Sequence, residues 1–212
     1  MFGRRSSDLT TITTEGGIAI KERRAADRDP NAKVVKLISG ECYVTNQPGE
    51  MIVTILGSCV AACMRDSVAK VGGMNHFLLP DTNDCSLRGS SESARYGAFA
   101  MEQLINNIIA LGGMKNRLEV KVFGGGNVIN NSSMIGSRNV AFVREFLKNE
   151  GLKIISEDLG DTYPRRLRYY PETGKAMLMK LRRRDDMAVI NEEKHFVAAL
   201  KAKPVEGSIE LF

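Results

Sequence analysis

Residues of the kinds that carry chemistry are scarce in this sequence: four cysteines and two histidines among 212 residues. Cys42, Cys59, Cys63 and Cys85 are too few and too irregularly spaced for the disulfide framework of a small secreted domain, so reduced thiols are expected. Long apolar runs are lacking too. The opening MFGRRSSDLTTITTEGG has arginines but no apolar stretch behind it, and no later run approaches the roughly 18 apolar residues of a membrane span. A soluble, cytoplasmic protein without membrane insertion is the expectation. Charge of one sign does not dominate: Lys and Arg number 30 against 25 Asp and Glu, and Arg182-Arg183-Arg184 runs at once into Asp185-Asp186. A net charge of +5 then reads as a solvated basic surface, because no finger, basic zipper or RNP-type pattern accompanies it to indicate nucleic acid.

What is present suffices for one substantial core, at 43% hydrophobic residues. Residues 1–33 are polar and include the mixed-charge cluster KERRAADRDP, which predicts a flexible N-terminal extension. Residues 182–212 show no convincing core face beyond a short helical pattern through His195-Phe196-Val197, and are expected to form a C-terminal tail. Between them, 34–181 alternates strand and helix signals. Val34-Val35 and Ile52-Val53-Thr54-Ile55 are β-branched, and CVAACMRD followed by VGGMNHFLLP predicts a hairpin.

ESARYGAFAMEQLINNIIALGG carries Ala98, Met101, Leu104, Ile105, Ile108 and Ile109 at helical spacing, with Ser91 placed to cap at Glu92 and Gly112-Gly113 to end the run. LEVKVFGGGNV predicts a strand and a glycine loop, and SRNVAFVREFLKNEG a second helix with Val140, Val143, Phe146 and Leu147 inward. LKIISEDLG is a further strand, and RLRYYPETGKAMLMKL a hairpin turning at Glu172-Thr173-Gly174. The fold class expected is α/β: a single domain with a mixed, largely antiparallel, sandwich-like sheet flanked by helices.

Centring the first hairpin between Ser67 and Val68 sets Cys59 directly across from His76. Opposed residues share a face with Cβ atoms about 4.5–5.5 Å apart, so a thiol and an imidazole could meet. A thiolate is the nucleophile in such a pair, and the imidazole takes and returns its proton. Gly57-Ser58 ahead of Cys59 allows a tight bend whose N–H groups could receive an oxyanion. Two other readings of the same residues stay open. Cysteine is among the most buried residue types, and Cys59, Cys63, His76 and Cys85 are a legal zinc set, although C-x3-C is weak metal spacing. FGGGNV lacks both GxGxxG spacing and a following Lys-Ser/Thr, so it reads as a turn near the site rather than a nucleotide loop.

TILGSCVAACMRD, VGGMNHFLLP, SARYGAFAMEQLI and KVFGGGNV, in this order and spacing, resemble the chemoreceptor glutamine deamidases of the CheD family. The resemblance covers roughly Val34 to Leu181, the hairpin DLGDTYPRRLRYYPETGKAMLMKL included. It implies a cytoplasmic enzyme that hydrolyses selected glutamine side chains of methyl-accepting chemotaxis proteins to glutamate and releases ammonia, with no metal or organic cofactor. It places the nucleophile on Cys59, the general base on His76 and a supporting threonine on Thr54, with Gly57 and Ser58 as loop support. TILGSC sets that threonine one residue nearer the cysteine than the TLGLGSC of some members. The resemblance also implies regulation through a CheC-type phosphatase. A non-catalytic adaptor that binds chemoreceptors or such a phosphatase is the alternative.

Overall fold

A computed structural model describes residues 32–79, 87–128 and 135–181, with backbone alone for 87–93. The two extensions beyond those limits, and with them His195 and Cys85, lie outside the described residues. In chain order the elements are β1 (Lys33–Lys36), β2 (Cys42–Thr45), β3 (Glu50–Leu56), β4 (Val60–Asp66), β5 (Val71–Asn75), α1 (Leu87–Ala110), β6 (Leu118–Gly124), α2 (Ile135–Asn149), β7 (Ile154–Leu159), β8 (Arg165–Tyr170) and β9 (Lys175–Lys180). They form a four-stranded sheet ordered β1-β3-β8-β9 and a five-stranded sheet ordered β2-β5-β4-β6-β7. Among the described residues, only β1 with β3 and β6 with β7 pair in parallel. The mixed, largely antiparallel α/β arrangement is therefore divided over two sheets.

Side-chain alternation along β4 shows how the layers stack. Val60, Ala62 and Met64 join one cluster with Met101, Leu104, Ile105 and Ile108 of α1 and Val143, Phe146 and Leu147 of α2. Cys59, Ala61 and Cys63 point the other way, into a second cluster with Ile52 and Leu56 of β3 and Leu167 and Tyr169 of β8. The five-stranded sheet is thus covered on one face by helices and on the other by the four-stranded sheet. Burial on both faces is why β4 reads as an unbroken apolar run rather than an alternating one. In β8, alternation is clean: Arg165, Leu167 and Tyr169 are buried while Arg166, Arg168 and Tyr170 are partly exposed.

Three sequence expectations need correction. The β4–β5 hairpin forms, but its partners are Cys63 with Met74 and Asp66 with Val71, and a further bridge joins Val60 to Phe77. Cys59 therefore stands across from Leu78, and His76 across from Ala61. The turn covers Ser67–Lys70, where the Asp66 carboxylate accepts the Val68 and Ala69 N–H groups and Lys70 takes φ 53°. Its centre lies one residue later than expected, so each strand partner shifts by two. A shift of two preserves faces, so Cys59 and His76 remain on the same side of the sheet as diagonal neighbours. Helix α1 begins at Leu87, which puts Ser91 inside it rather than at its cap. Ile109 is 43% exposed, off the buried stripe.

Candidate active site

His76 lies just beyond β5 and faces the space between the sheets, where it is buried. Its backbone is tied to the β1–β2 loop: the Gly40 N–H donates to the His76 carbonyl at 2.7 Å, and the His76 N–H to the Glu41 carbonyl at 2.9 Å. Thr54 comes from β3 of the opposite sheet, paired with the inward-facing Leu167. Its hydroxyl oxygen is 2.8 Å from His76 Nδ1 and also 2.8 Å from the Leu37 carbonyl oxygen. A hydroxyl has one proton, and a carbonyl can only accept. The Thr54 proton therefore goes to Leu37, and Nδ1 carries the ring proton and donates it to Thr54. The ring is left with Nε2 as an acceptor, and that buried atom has no hydrogen-bond partner. Burial alone pushes the imidazole down to about 3, so it is neutral over the working pH range.

Cys59 follows the Gly57-Ser58 bend and is buried, with the Ser39 hydroxyl 3.7 Å from its sulfur. The bend is held from behind by three consecutive carbonyls. Gly126 N–H donates to Gly57 and Gly125 N–H to Cys59, each at 2.7 Å. Asn139 Nδ2 of α2 donates to the Ser58 carbonyl at 2.8 Å, while its Oδ1 accepts the Leu79 N–H at 3.0 Å. Gly124 has φ +113°, and a β-carbon there would overlap the Cys59 carbonyl oxygen. FGGGNV is thus the backing of the cysteine loop. Its carbonyl at Gly124 accepts Arg165 Nη1 at 2.6 Å, and the same buried guanidinium donates to the carbonyls of Asp158 and Gly160. Arg165 also lies 4.7 Å from the Tyr163 ring centre.

The structure brings Thr54 and His76 into hydrogen-bond contact and sets Cys59 diagonally beside His76 behind Gly57 and Ser58. It does not put Cys63 there. Cys63 points into the same core two positions past Ala61, and burial pushes its thiol far above the ordinary range. Cys42 is pushed up to about 11, again by burial. Among the described residues, no three His, Cys, Asp or Glu side chains cluster as a metal would require.

Sequence reading missed Asn75, Asn139 and Arg165. Asn139 stands four residues before Val143 and seven before Phe146, so an asparagine on the apolar stripe was the available signal. Asn75 Oδ1 accepts the Ala62 N–H at 2.9 Å and Nδ2 donates to the Ala100 carbonyl at 2.9 Å. It replaces a backbone rung of the β4–β5 ladder just where His76 leaves the strand. Arg165 stands in the run Arg165-Arg166-Leu167-Arg168, whose charges give no signal of burial.

The fold and this geometry define a two-sheet α/β protein with a buried thiol and imidazole between its sheets. Residues 78–180 match the family model CheD, described as CheD chemotactic sensory transduction. A protein of Rhodopseudomonas palustris is 52% identical over 87% of this chain and 88% of its own length. Others from Methylobacillus flagellatus and Thiobacillus denitrificans are 45% and 42% identical, over 88% and 92% of this chain and 93% and 98% of theirs. Each of the three bears the name "Probable chemoreceptor glutamine deamidase CheD". The chain belongs to the CheD family. A solved Neisseria meningitidis protein of the DUF152 family aligns at 10% identity and a TM-score of 0.39, over 62% of this chain and 65% of that one. No helix among the described residues is long and apolar enough to cross a membrane.

Proposed function

We propose that this protein is a cytoplasmic chemoreceptor glutamine deamidase in which Cys59 is the nucleophile, His76 the general base and acid, and Thr54 the residue that orients the imidazole. The observation carrying the reading is the Thr54 hydroxyl, whose proton goes to Leu37 and so leaves His76 Nε2 bare on the face it shares with Cys59. The names of the relatives supply the substrate class.

The Cys59 thiol gives its proton to Nε2, and the thiolate attacks the side-chain carbonyl carbon of a receptor glutamine. Forming the thiolate beside the ring favours the imidazolium that burial alone disfavours. Collapse of the tetrahedral adduct breaks the C–N bond, and the imidazolium returns its proton to the departing ammonia. A water deprotonated by His76 then cleaves the thioester to glutamate and restores the thiol. The receptor gains a carboxylate, which changes charge repulsion between its helices and biases signalling. A CheC-type phosphatase is the regulatory partner this reading includes.

Incubation with the cytoplasmic fragment of a chemoreceptor, followed by peptide mass spectrometry, tests the proposal. Each converted glutamine gains about one dalton, the difference between an amide and the acid its thioester releases. The wild type is expected to convert glutamine and Cys59→Ala to convert none. An active Cys59→Ala variant removes the nucleophile assignment, and a non-catalytic adaptor is left if the wild type binds the fragment without converting it.

A further inference from the structure

The carbonyls of Gly57, Ser58 and Cys59 are all captured, and what captures them differs. Backbone N–H groups of Gly126 and Gly125 hold the outer two. The middle one is held by a side chain, Asn139 Nδ2. Both partners of Asn139 are backbone groups of fixed polarity, so its amide can be oriented only one way: Oδ1 on the Leu79 N–H and Nδ2 on the Ser58 carbonyl. The side chain is fully buried on α2. One amide therefore links the loop that carries Cys59 to the segment three residues past His76.

A trans peptide is planar, and its C=O and N–H point to opposite sides. Drawing the Ser58 carbonyl toward α2 turns the Cys59 N–H away from α2. The donor that an oxyanion at Cys59 would use is thus aimed by Asn139 rather than by Cys59 itself. A pre-aimed donor in a water-poor setting is the arrangement that stabilises a tetrahedral adduct most.

We infer that Asn139 is a positioning residue for glutamine hydrolysis: through the Ser58 carbonyl it fixes the Ser58–Cys59 peptide so that the Cys59 N–H meets the oxygen of the tetrahedral adduct. The inference rests on the deamidase reading above. It separates two kinds of reaction at the same sulfur. Attack on an amide puts charge on the carbonyl oxygen. Alkylation by iodoacetamide forms a C–S bond as iodide departs, and the charge leaves with the iodide. Only the first needs the aimed N–H.

The test compares wild type, Asn139→Asp and Asn139→Ala in both reactions, with receptor fragment for hydrolysis and iodoacetamide for Cys59, after circular dichroism and a thermal melt. Asn139→Asp keeps the shape and the acceptor for Leu79 but loses the donor to Ser58. Asn139→Ala introduces no charge, and serves if the aspartate variant does not fold. In the folded variant kcat is expected to fall about 10²–10³-fold, the usual cost of a lost oxyanion donor, with KM within about threefold. The alkylation rate should stay within about threefold of wild type on the same argument. Hydrolysis at the wild-type rate, or hydrolysis and alkylation falling together, overturns the role of Asn139 alone. A wild type that alkylates normally but leaves every glutamine intact overturns the deamidase reading, and this inference with it.

Discussion

At the far end of β4, Asp66 is fully buried and every acceptor direction is used. One oxygen takes the Val68 and Ala69 N–H groups at 2.9 and 3.1 Å, the other the Met114 N–H and Arg117 Nε at 2.9 and 2.8 Å. At the near end, His76 is just as buried yet has one side-chain partner, and Nε2 has none. Burial pushes both groups toward their neutral forms. In Asp66 the Arg117 contact and three backbone donors outweigh that push and hold the carboxyl well below its usual range. In His76 nothing opposes it. Two buried ionisable groups on one strand pair thus differ: the satisfied one locks a turn, while the other keeps a lone pair that the proposed mechanism uses for proton transfer. An orphaned buried polar atom is costly, so its persistence calls for a reason.

Removing each group should separate those ends. His76→Gln is expected to cut glutamine hydrolysis about 10³-fold or more, because the proton carrier is gone, while the melting temperature at neutral pH changes little. Asp66→Ala should do the reverse. It strands three backbone donors and costs about 3 kcal/mol, since Arg117 is partly exposed and water can take over its share. Denaturant titration measures this loss, and activity per folded molecule should stay near wild type. Thr54→Val, which leaves Nδ1 and the Leu37 carbonyl without a partner, is expected to lower kcat about 10–10²-fold, with Thr54→Ser restoring most of it. A Thr54→Val enzyme with full activity would break the contrast at its functional end.

The two groups also titrate in different windows. His76 binds its proton near 6.5 when unfolded and only near 3 when folded. Below 6.5 the unfolded chain holds more protons, so stability falls with acidification by up to about 1.4 kcal/mol per pH unit. The Asp66 contribution is complete above its unfolded value of 3.8 and is lost only as pH falls through its depressed folded value. Melting curves from pH 7 to 4 should therefore slope in wild type and flatten in His76→Gln. The smallest effect belongs to Cys63→Ala: about 1 kcal/mol of packing and no change in hydrolysis.

Much of the fold was legible because its signals are local. β-branched runs mark β1 and β3, and three- and four-residue spacing marks both helices. The hairpin register was not legible, because the turn's centre depends on the Asp66 carboxylate capping Val68 and Ala69, a contact that composition does not announce. The roles proposed for Cys59, His76 and Thr54 come from motif resemblance, and spacing alone leaves three readings open. The threonine one residue nearer the cysteine still reaches the imidazole, since it approaches from the other sheet rather than along the loop. Asn75, Asn139 and Arg165 were missed for a common reason. Each bonds to main-chain atoms outside its own element, and such partners leave no pattern around the residue itself.

Gly124 shows how far that reach extends. It carries no chemistry, sits 65 positions after Cys59, and is denied a side chain by the carbonyl of Cys59 itself. In a saturation scan it should tolerate nothing, for turnover and for folded protein alike, because the clash is with main chain and any side chain at φ +113° is strained. An intolerance that the residue's own chemistry does not explain marks it as part of the mould that shapes the Cys59 loop.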